Sequence, residues 1–158
     1  MTPMAKATVE GIFVAPEREA PLQAVDAVEA VTGVGLDGDR YAARAGTYSG
    51  KEGPKRQVTL IEAEALEAAE RDYGVALPPG STRRNIVTRG VALNHLVGQE
   101  FAVGPALLRG ITLCEPCVHM ESLAGVPGAR EALVHRGGLN AEIVAGGTIR
   151  IGDPISLA

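Results

Sequence analysis

Glycine and proline interrupt this chain at every turn: twenty glycines and ten prolines are spread from end to end. Between them lie only short apolar runs. A proline inside a helix removes a hydrogen bond and clashes with the preceding turn, and a helical glycine loses more entropy than alanine. Long helices are therefore excluded over most of the sequence. What fits is a series of short strands joined by turns that glycine and proline favour.

The runs themselves read as strands. ATVEGIFVA (7–15) alternates apolar and polar residues, and VEAVTGVGL (28–36) leads into the glycine-rich turn GLDGDR. QVTLI (57–61) and NIVT (85–88) follow. EFAVG (100–104) and ALLRGITL (106–113) form a hairpin about Gly104-Pro105. LNAEIVAGG (139–147), TIRIG (148–152) and PISLA (154–158) close the chain. Helical periodicity is clear only in EAEALEAAERDYG (62–74), which has an acidic first turn and a glycine to end it. A shorter helix is expected in PGAREALVHRGG (127–138), and a single turn in LNHLVG (93–98). Residues 43–56 read as a polar, glycine-rich flap. Many short strands with few helices predict a mixed, mostly β fold. The expected form is a closed or nearly closed β-barrel with a few short peripheral α-helices, as one domain over residues 1–158.

A chain of this length buries about two-thirds of its unfolded surface and needs no disulfide staples. With only two cysteines, a reducing compartment is expected. The N-terminal residues do not read as a secretory signal, and no apolar run approaches the roughly 20 residues of a membrane span. The expectation is a cytoplasmic protein without membrane contact. A net charge of −4 and the absence of tryptophan argue against nucleic-acid partners. Twelve arginines stand against three lysines. A GC-rich coding sequence accounts for that bias, and so does a need for planar forks that grip phosphate or carboxylate.

Both cysteines fall in LCEPCVHME (113–121), where proline pushes Glu115 toward an extended conformation and stiffens the turn after a strand. Four uses of Cys114 and Cys117 compete. They are a disulfide, a redox dithiol, half of a zinc site, or one reactive thiolate that holds a metal or sulfur atom. Zinc is disfavoured, because His119 with His95 or His135 would have to complete the set and no second C-x-x-C or H-x-x-x-H is present. The dithiol is weakened by the glycine-broken segment that follows, which promises no long helix. Two buried cysteines acting as small hydrophobes are the plain alternative.

Other residues with binding potential are scattered. Arg83 and Arg84 precede a strand, where adjacent side chains diverge and one can face a pocket. Arg40 follows the GLDGD turn, in which Asp37 and Asp39 can bond back to local amides. HRGGLNAE (135–142) could offer backbone amides and Asn140 to an anion. Lys6, Lys51 and Lys55 are the only lysines available for a pyridoxal phosphate Schiff base. There is no P-loop, no G-x-S-x-G elbow, and no flavin or iron–sulfur motif.

Taken in order, GLDGDRY, QVTLIEAEALEA, RRNIVTRGVALNHLVGQEFAVG, LCEPC and RGGLNAEIVAGGTIRIGDPI resemble the MOSC domain, the C-terminal domain of molybdenum-cofactor sulfurases, which also occurs alone in bacteria. The resemblance spans roughly residues 8–158. It implies a strand-rich barrel and a role in molybdenum-cofactor or sulfur chemistry. The family's characteristic cysteine corresponds to Cys117. In relatives that reduce N-hydroxylated compounds that cysteine is a thiolate ligand to molybdenum, and in the sulfurase branch it carries a persulfide. The family's R-x-N-I pattern corresponds to Arg83, Asn85 and Ile86, with Arg84 where those reductases have proline. Those reductases also have Ser-Arg where Glu115-Pro116 stands here.

The resemblance implies a cofactor anchored by Arg40, Arg83, Arg84, Asn85 and Asn140 at the barrel mouth. Cys117 would complete the metal's shell, and His119 or Glu121 would relay protons. It implies reduction of a small N-hydroxylated substrate with electrons from a separate reductase. Two alternatives remain open: a persulfide carrier served by a sulfur donor protein, and a non-catalytic module that binds a phosphorylated cofactor such as pyridoxal phosphate.

Overall fold

The computed structural model describes residues 2–17, 19–42 and 57–158, with side chains from residue 7 onward. The expected flap over 43–56, with Lys51 and Lys55, lies outside the described residues, as does the Lys6 side chain.

The chain order is β1 (Thr2–Val14), β2 (Gln23–Ala24), β3 (Ala27–Val31), β4 (Gly35–Leu36), β5 (Val58–Glu62), α1 (Ala63–Tyr73), β6 (Ile86–Arg89), β7 (Glu100–Val103), β8 (Ala106–Leu113), α2 (Val118–Ala124), α3 (Ala129–Ala132), β9 (Leu139–Ala145), β10 (Gly147–Arg150) and β11 (Pro154–Leu157). The main sheet runs β11-β7-β8-β9-β5-β6-β1-β2, and β11 also pairs with β1. That last pairing closes seven strands into a barrel and leaves β2 as an appendage. β10, β3 and β4 form a separate three-stranded sheet. The pairs are antiparallel except β5–β6, which are parallel because α1 carries the chain across between them.

Alternation along the strands sorts the core into two parts. Val9, Ile12, Val58, Leu60, Ile86, Phe101, Leu108, Leu139 and Ile143 fill the barrel. Their neighbours Phe13, Ile61 and Val87 point the other way and pack beneath the helices with Ala65, Ala69, Met120, Ala129 and Leu133. This two-sided burial is why VTLI reads as an unbroken apolar run rather than an alternating one. The small alanine face of α1 lets the helix lie close on the barrel wall.

Two expectations are revised, and a third, that no long helix follows Cys117, holds. The strand expected over 28–36 is two short strands, split by a turn in which Gly33 has φ 69°. The helix expected over 127–138 is a single turn, Ala129–Ala132, because the residues after it are drawn into contact with the cysteine segment. The segment after Cys117 forms a two-turn helix that ends at Gly125, φ 67°. The turn at Leu93–Leu96 is present as a 3₁₀ turn, and Leu93 and Leu96 insert into the barrel core. Among the described residues, no helix is long and apolar enough to cross a membrane.

Candidate functional site

One hollow gathers most of the residues that the sequence singled out. It holds about 150 Å³ and is lined by Arg40, Tyr41, Thr59, Arg83, Arg84, Cys114, Glu115, Cys117, His119 and Met120. Thr59 forms part of its wall and alternates with Leu60, which points into the barrel. The hollow therefore sits against the outer face of the barrel wall, beside α2, and not in the barrel mouth. The interior is filled with apolar side chains.

The arginines arrive from two loops. Arg40 ends the GLDGD turn and is 5% exposed, with Nη1 donating to Asp39 Oδ1 at 3.0 Å. Asp39 is itself held, because its carboxylate accepts the amides of Ala15 (3.1 Å) and Tyr41 (3.3 Å). The Arg40 guanidinium lies 4.6 Å from the centroid of the Tyr41 ring. Arg83 adopts a left-handed backbone, φ 66°, and donates to the Ala20 carbonyl at 2.7 Å. Burial, and secondarily the Arg40 cation, lower the Arg83 pKa. Two like charges thus share one hollow. Among the described residues no carboxylate forms a salt bridge with Arg83 or Arg84.

Arg84 does a different job. It is 7% exposed, and it donates to the carbonyls of Gly137 (2.8 Å), Cys114 (2.9 Å) and Thr82 (3.1 Å). The Cys114 amide donates in turn to the Gly138 carbonyl at 2.7 Å. A Cβ on Gly137 would meet the Cys114 carbonyl at 2.5 Å, so the glycine pair is needed for close packing. The HRGG stretch that read as an anion nest is the backing of the cysteine segment.

The two cysteines differ. Cys114 is 4% exposed, and Cys117 is half-buried. They are not joined to each other, and the chain between them has neither a hydrogen-bonded turn nor a bend. The expected stiff turn is a stiff extended segment. It delivers Cys117 to the start of α2, where Sγ accepts the Met120 amide at 3.4 Å. Glu115, which also lines the hollow, has its carboxylate engaged by His135: it accepts the His135 amide at 2.8 Å and lies 2.9 Å from the ring Nδ1. His119 lines the hollow, with Nε2 3.8 Å from the Glu19 carboxylate.

Asn85 and Asn140 do not line the hollow. Asn85 is 1% exposed, and its side chain is absorbed by the wall, accepting from the Thr59 amide and hydroxyl (each 3.1 Å) and donating to the Phe13 carbonyl (3.0 Å). Asn140 lies opposite Thr59 in the β5–β9 pairing and donates to the Thr112 hydroxyl at 3.2 Å. Its Oδ1 is buried and has no hydrogen-bond partner among the described residues. Tyr41 was missed in the sequence. Its position directly after Arg40 was the available signal, since the turn that aims one residue also places the next. Among the described residues, no three His, Cys, Asp or Glu side chains are grouped to hold a metal ion.

A closed, apolar-filled barrel that carries a thiol beside converging arginines on its outer wall defines a class of site suited to a soft metal or a sulfur atom. The MOSC domain model matches residues 47–156, and the chain belongs to that family, which is associated with molybdenum-cofactor binding. The YuaD protein from Bacillus subtilis has a similar crystal structure, with TM-score 0.77 and 19% identity over 94% of this chain and 93% of that one. YiiM from Geobacillus stearothermophilus is similar at TM-score 0.73 and 17% identity, covering 96% of this chain and 75% of that one. YiiM from Escherichia coli gives TM-score 0.66 and 18% identity over 95% and 69% of the two chains. No curated protein matches significantly.

The residues present fit the donor set that a molybdenum cofactor needs. A sulfur ligand shares the hollow with Arg83 and Arg84, which have no carboxylate partner among the described residues, and with Arg40, which is paired with Asp39. The hollow is smaller than the roughly 300 Å³ at which pockets enclose a whole drug-sized ligand, so it accommodates one end of such a group.

Proposed function

We propose that this protein binds molybdenum cofactor at the lateral hollow, with Cys117 as the protein's ligand to the metal, and reduces small N-hydroxylated compounds. The observation that carries this reading is the convergence of Cys117 with Arg40, Arg83 and Arg84 in one cavity. A soft thiolate suits such a metal, and planar guanidinium groups suit the anionic part of the cofactor. When bound, the cofactor supplies two-electron chemistry for removing oxygen from the substrate. The protein's own residues do the rest. Asp39 holds Arg40 in place, Arg84 and the Gly137-Gly138 backing fix the segment that carries Cys117, and His119 is within the cavity to move protons. Electrons come from a separate reductase.

The second reading is a persulfide carrier, in which Cys117 accepts a sulfur atom and passes it on. The small volume favours it, because one extra sulfur fits where a whole pterin does not.

Metal and sulfur analysis of protein made in a cofactor-competent host separates the two. Stoichiometric molybdenum that is lost in Cys117→Ala supports the first reading. Cyanide-labile sulfur without metal supports the second. Protein from such a host with neither molybdenum nor labile sulfur would sink both.

A further inference from the structure

The walls of the hollow differ in chemical hardness. Cys114, Cys117 and Met120 offer soft sulfur, whereas Arg40, Tyr41 and Arg83 offer hard donors to anionic oxygen. Arg83 spends one described hydrogen bond on the Ala20 carbonyl. The Tyr41 hydroxyl has no hydrogen-bond partner among the described residues, and its ring is fixed beneath Arg40. A ligand that satisfies both walls needs a thiophilic end and an oxyanion end. At about 150 Å³ both ends must lie within a few bonds of each other.

We propose that the hollow is a substrate site for a small sulfane-sulfur oxyanion of the thiosulfate type, and that Cys117 takes its outer sulfur. This inference rests on the persulfide reading of Cys117 and names the substrate. The Cys117 thiolate attacks the terminal sulfur of thiosulfate. A sulfur–sulfur bond forms to Cys117, the bond to the sulfonate sulfur breaks, and sulfite leaves with the electron pair. The thiol proton ends on the persulfide by way of solvent, so one thiol and one thiosulfate give one persulfide and one sulfite, with no external oxidant or reductant. Two anions must approach for this step. The guanidinium groups offset their repulsion and stabilise the charge that gathers on the departing sulfite. Glu115, the acid nearest in sequence, is held against His135, and Asp39 is occupied by Arg40 and two amides.

The test uses the purified protein, with reductants removed. Thiosulfate is added and the intact mass is read for gain of one sulfur atom. Cyanide is then added and thiocyanate is measured; it forms as cyanide removes the outer sulfur and restores the thiolate. Wild type is expected to gain the sulfur and turn over, and Cys117→Ala to do neither. Arg83→Gln is expected to raise the thiosulfate KM by about tenfold or more, the worth of a charged hydrogen bond, while inorganic polysulfide, which has no oxyanion end, still loads its Cys117. That polysulfide loading reports that the variant is folded and its thiol is reachable. Wild type that loads from polysulfide but not from thiosulfate overturns this inference and leaves the carrier reading standing. Wild type that loads from neither overturns both. An unchanged KM in Arg83→Gln, or thiocyanate from Cys117→Ala, also overturns the inference.

Discussion

The guanidinium of Arg84 holds the carbonyl oxygen of Cys114 at 2.9 Å, and its Nε holds Gly137 at 2.8 Å. One buried side chain thus ties the cysteine segment to the glycine pair before β9. The neighbouring Arg83 faces the same hollow, and its side chain makes a single hydrogen bond among the described residues, to a backbone carbonyl. Adjacent arginines therefore divide the work, one fixing the wall and the other presenting charge.

That division predicts different phenotypes. Arg84→Gln strands buried carbonyls and is expected to lower unfolding free energy by about 3 kcal/mol, since a hydrogen bond to a charged group contributes about 1.5–3 kcal/mol and leaving its partner unsatisfied adds to the loss. Arg83→Gln, half-buried and with one side-chain hydrogen bond among the described residues, is expected to cost about 1 kcal/mol or less. Urea denaturation of the two variants beside wild type checks the order; equal losses would mean that both arginines are structural.

The glycine pair offers a second contrast. A Cβ at Gly138 would sit 2.0 Å from the Leu60 carbonyl oxygen, on a backbone with φ +114°. Gly138→Ala must push β9 and β5 apart, and it is expected to cost at least about 3 kcal/mol or to prevent folding. Gly33 also has a left-handed backbone, φ +69°, but nothing lies within 4 Å of its Cβ position. Gly33→Ala is expected to cost only the conformational penalty of about 1 kcal/mol. Thermal melts of both variants separate steric from conformational cost.

These contrasts bear on what the sequence made legible. Strand positions were readable because alternation and glycine or proline breaks are local. The closure of the barrel by β11 on β1 was anticipated only as a class, because register depends on partners far apart in the chain. Cys117, Arg40 and Arg83 were found through residue type and the family resemblance. Asn85 fitted the same R-x-N-I pattern, yet its amide braces Thr59 and Phe13. Residue type cannot say whether an amide serves a ligand or a wall; only the hydrogen-bond partners do. The site's location failed for a related reason. Arginines and a cysteine at strand ends suggest a barrel mouth, but which face of β5 carries Thr59 is decided by the register that puts Val58 and Leu60 inside.

Glu62 gives a pH prediction. Burial raises its pKa above the ordinary glutamate value of 4.5, outweighing the Leu93 amide that donates to its carboxylate at 2.9 Å. A folded-state pKa above the unfolded value means that the fold prefers the protonated form. The associated stability is present below about pH 4.5 and is lost as pH rises through the raised folded value. At neutral pH the fold therefore carries a disfavoured charge. Glu62→Gln keeps an acceptor for Leu93 and removes that charge. It is expected to melt higher than wild type at pH 7, with the difference shrinking toward pH 4. A difference independent of pH would show that the desolvated charge is not the cause.

The unequal burial of the cysteines makes a last prediction, independent of any cofactor. Cys117 is half-buried at the start of α2, whereas Cys114 is 4% exposed, and Arg84 and Gly138 hold its backbone. A disulfide-forming thiol reagent added to the native protein should titrate one thiol quickly and the second only as the protein unfolds. Cys117→Ala should remove the fast phase and leave the melting temperature within a few degrees. Cys114→Ser puts a hydroxyl among packed neighbours, so it should keep the fast phase and lower stability by about 1–2 kcal/mol. If both thiols react at one rate in the native state, the segment is not held as Arg84 and the glycine pair imply. The case for Cys117 as the single reactive sulfur then fails with it.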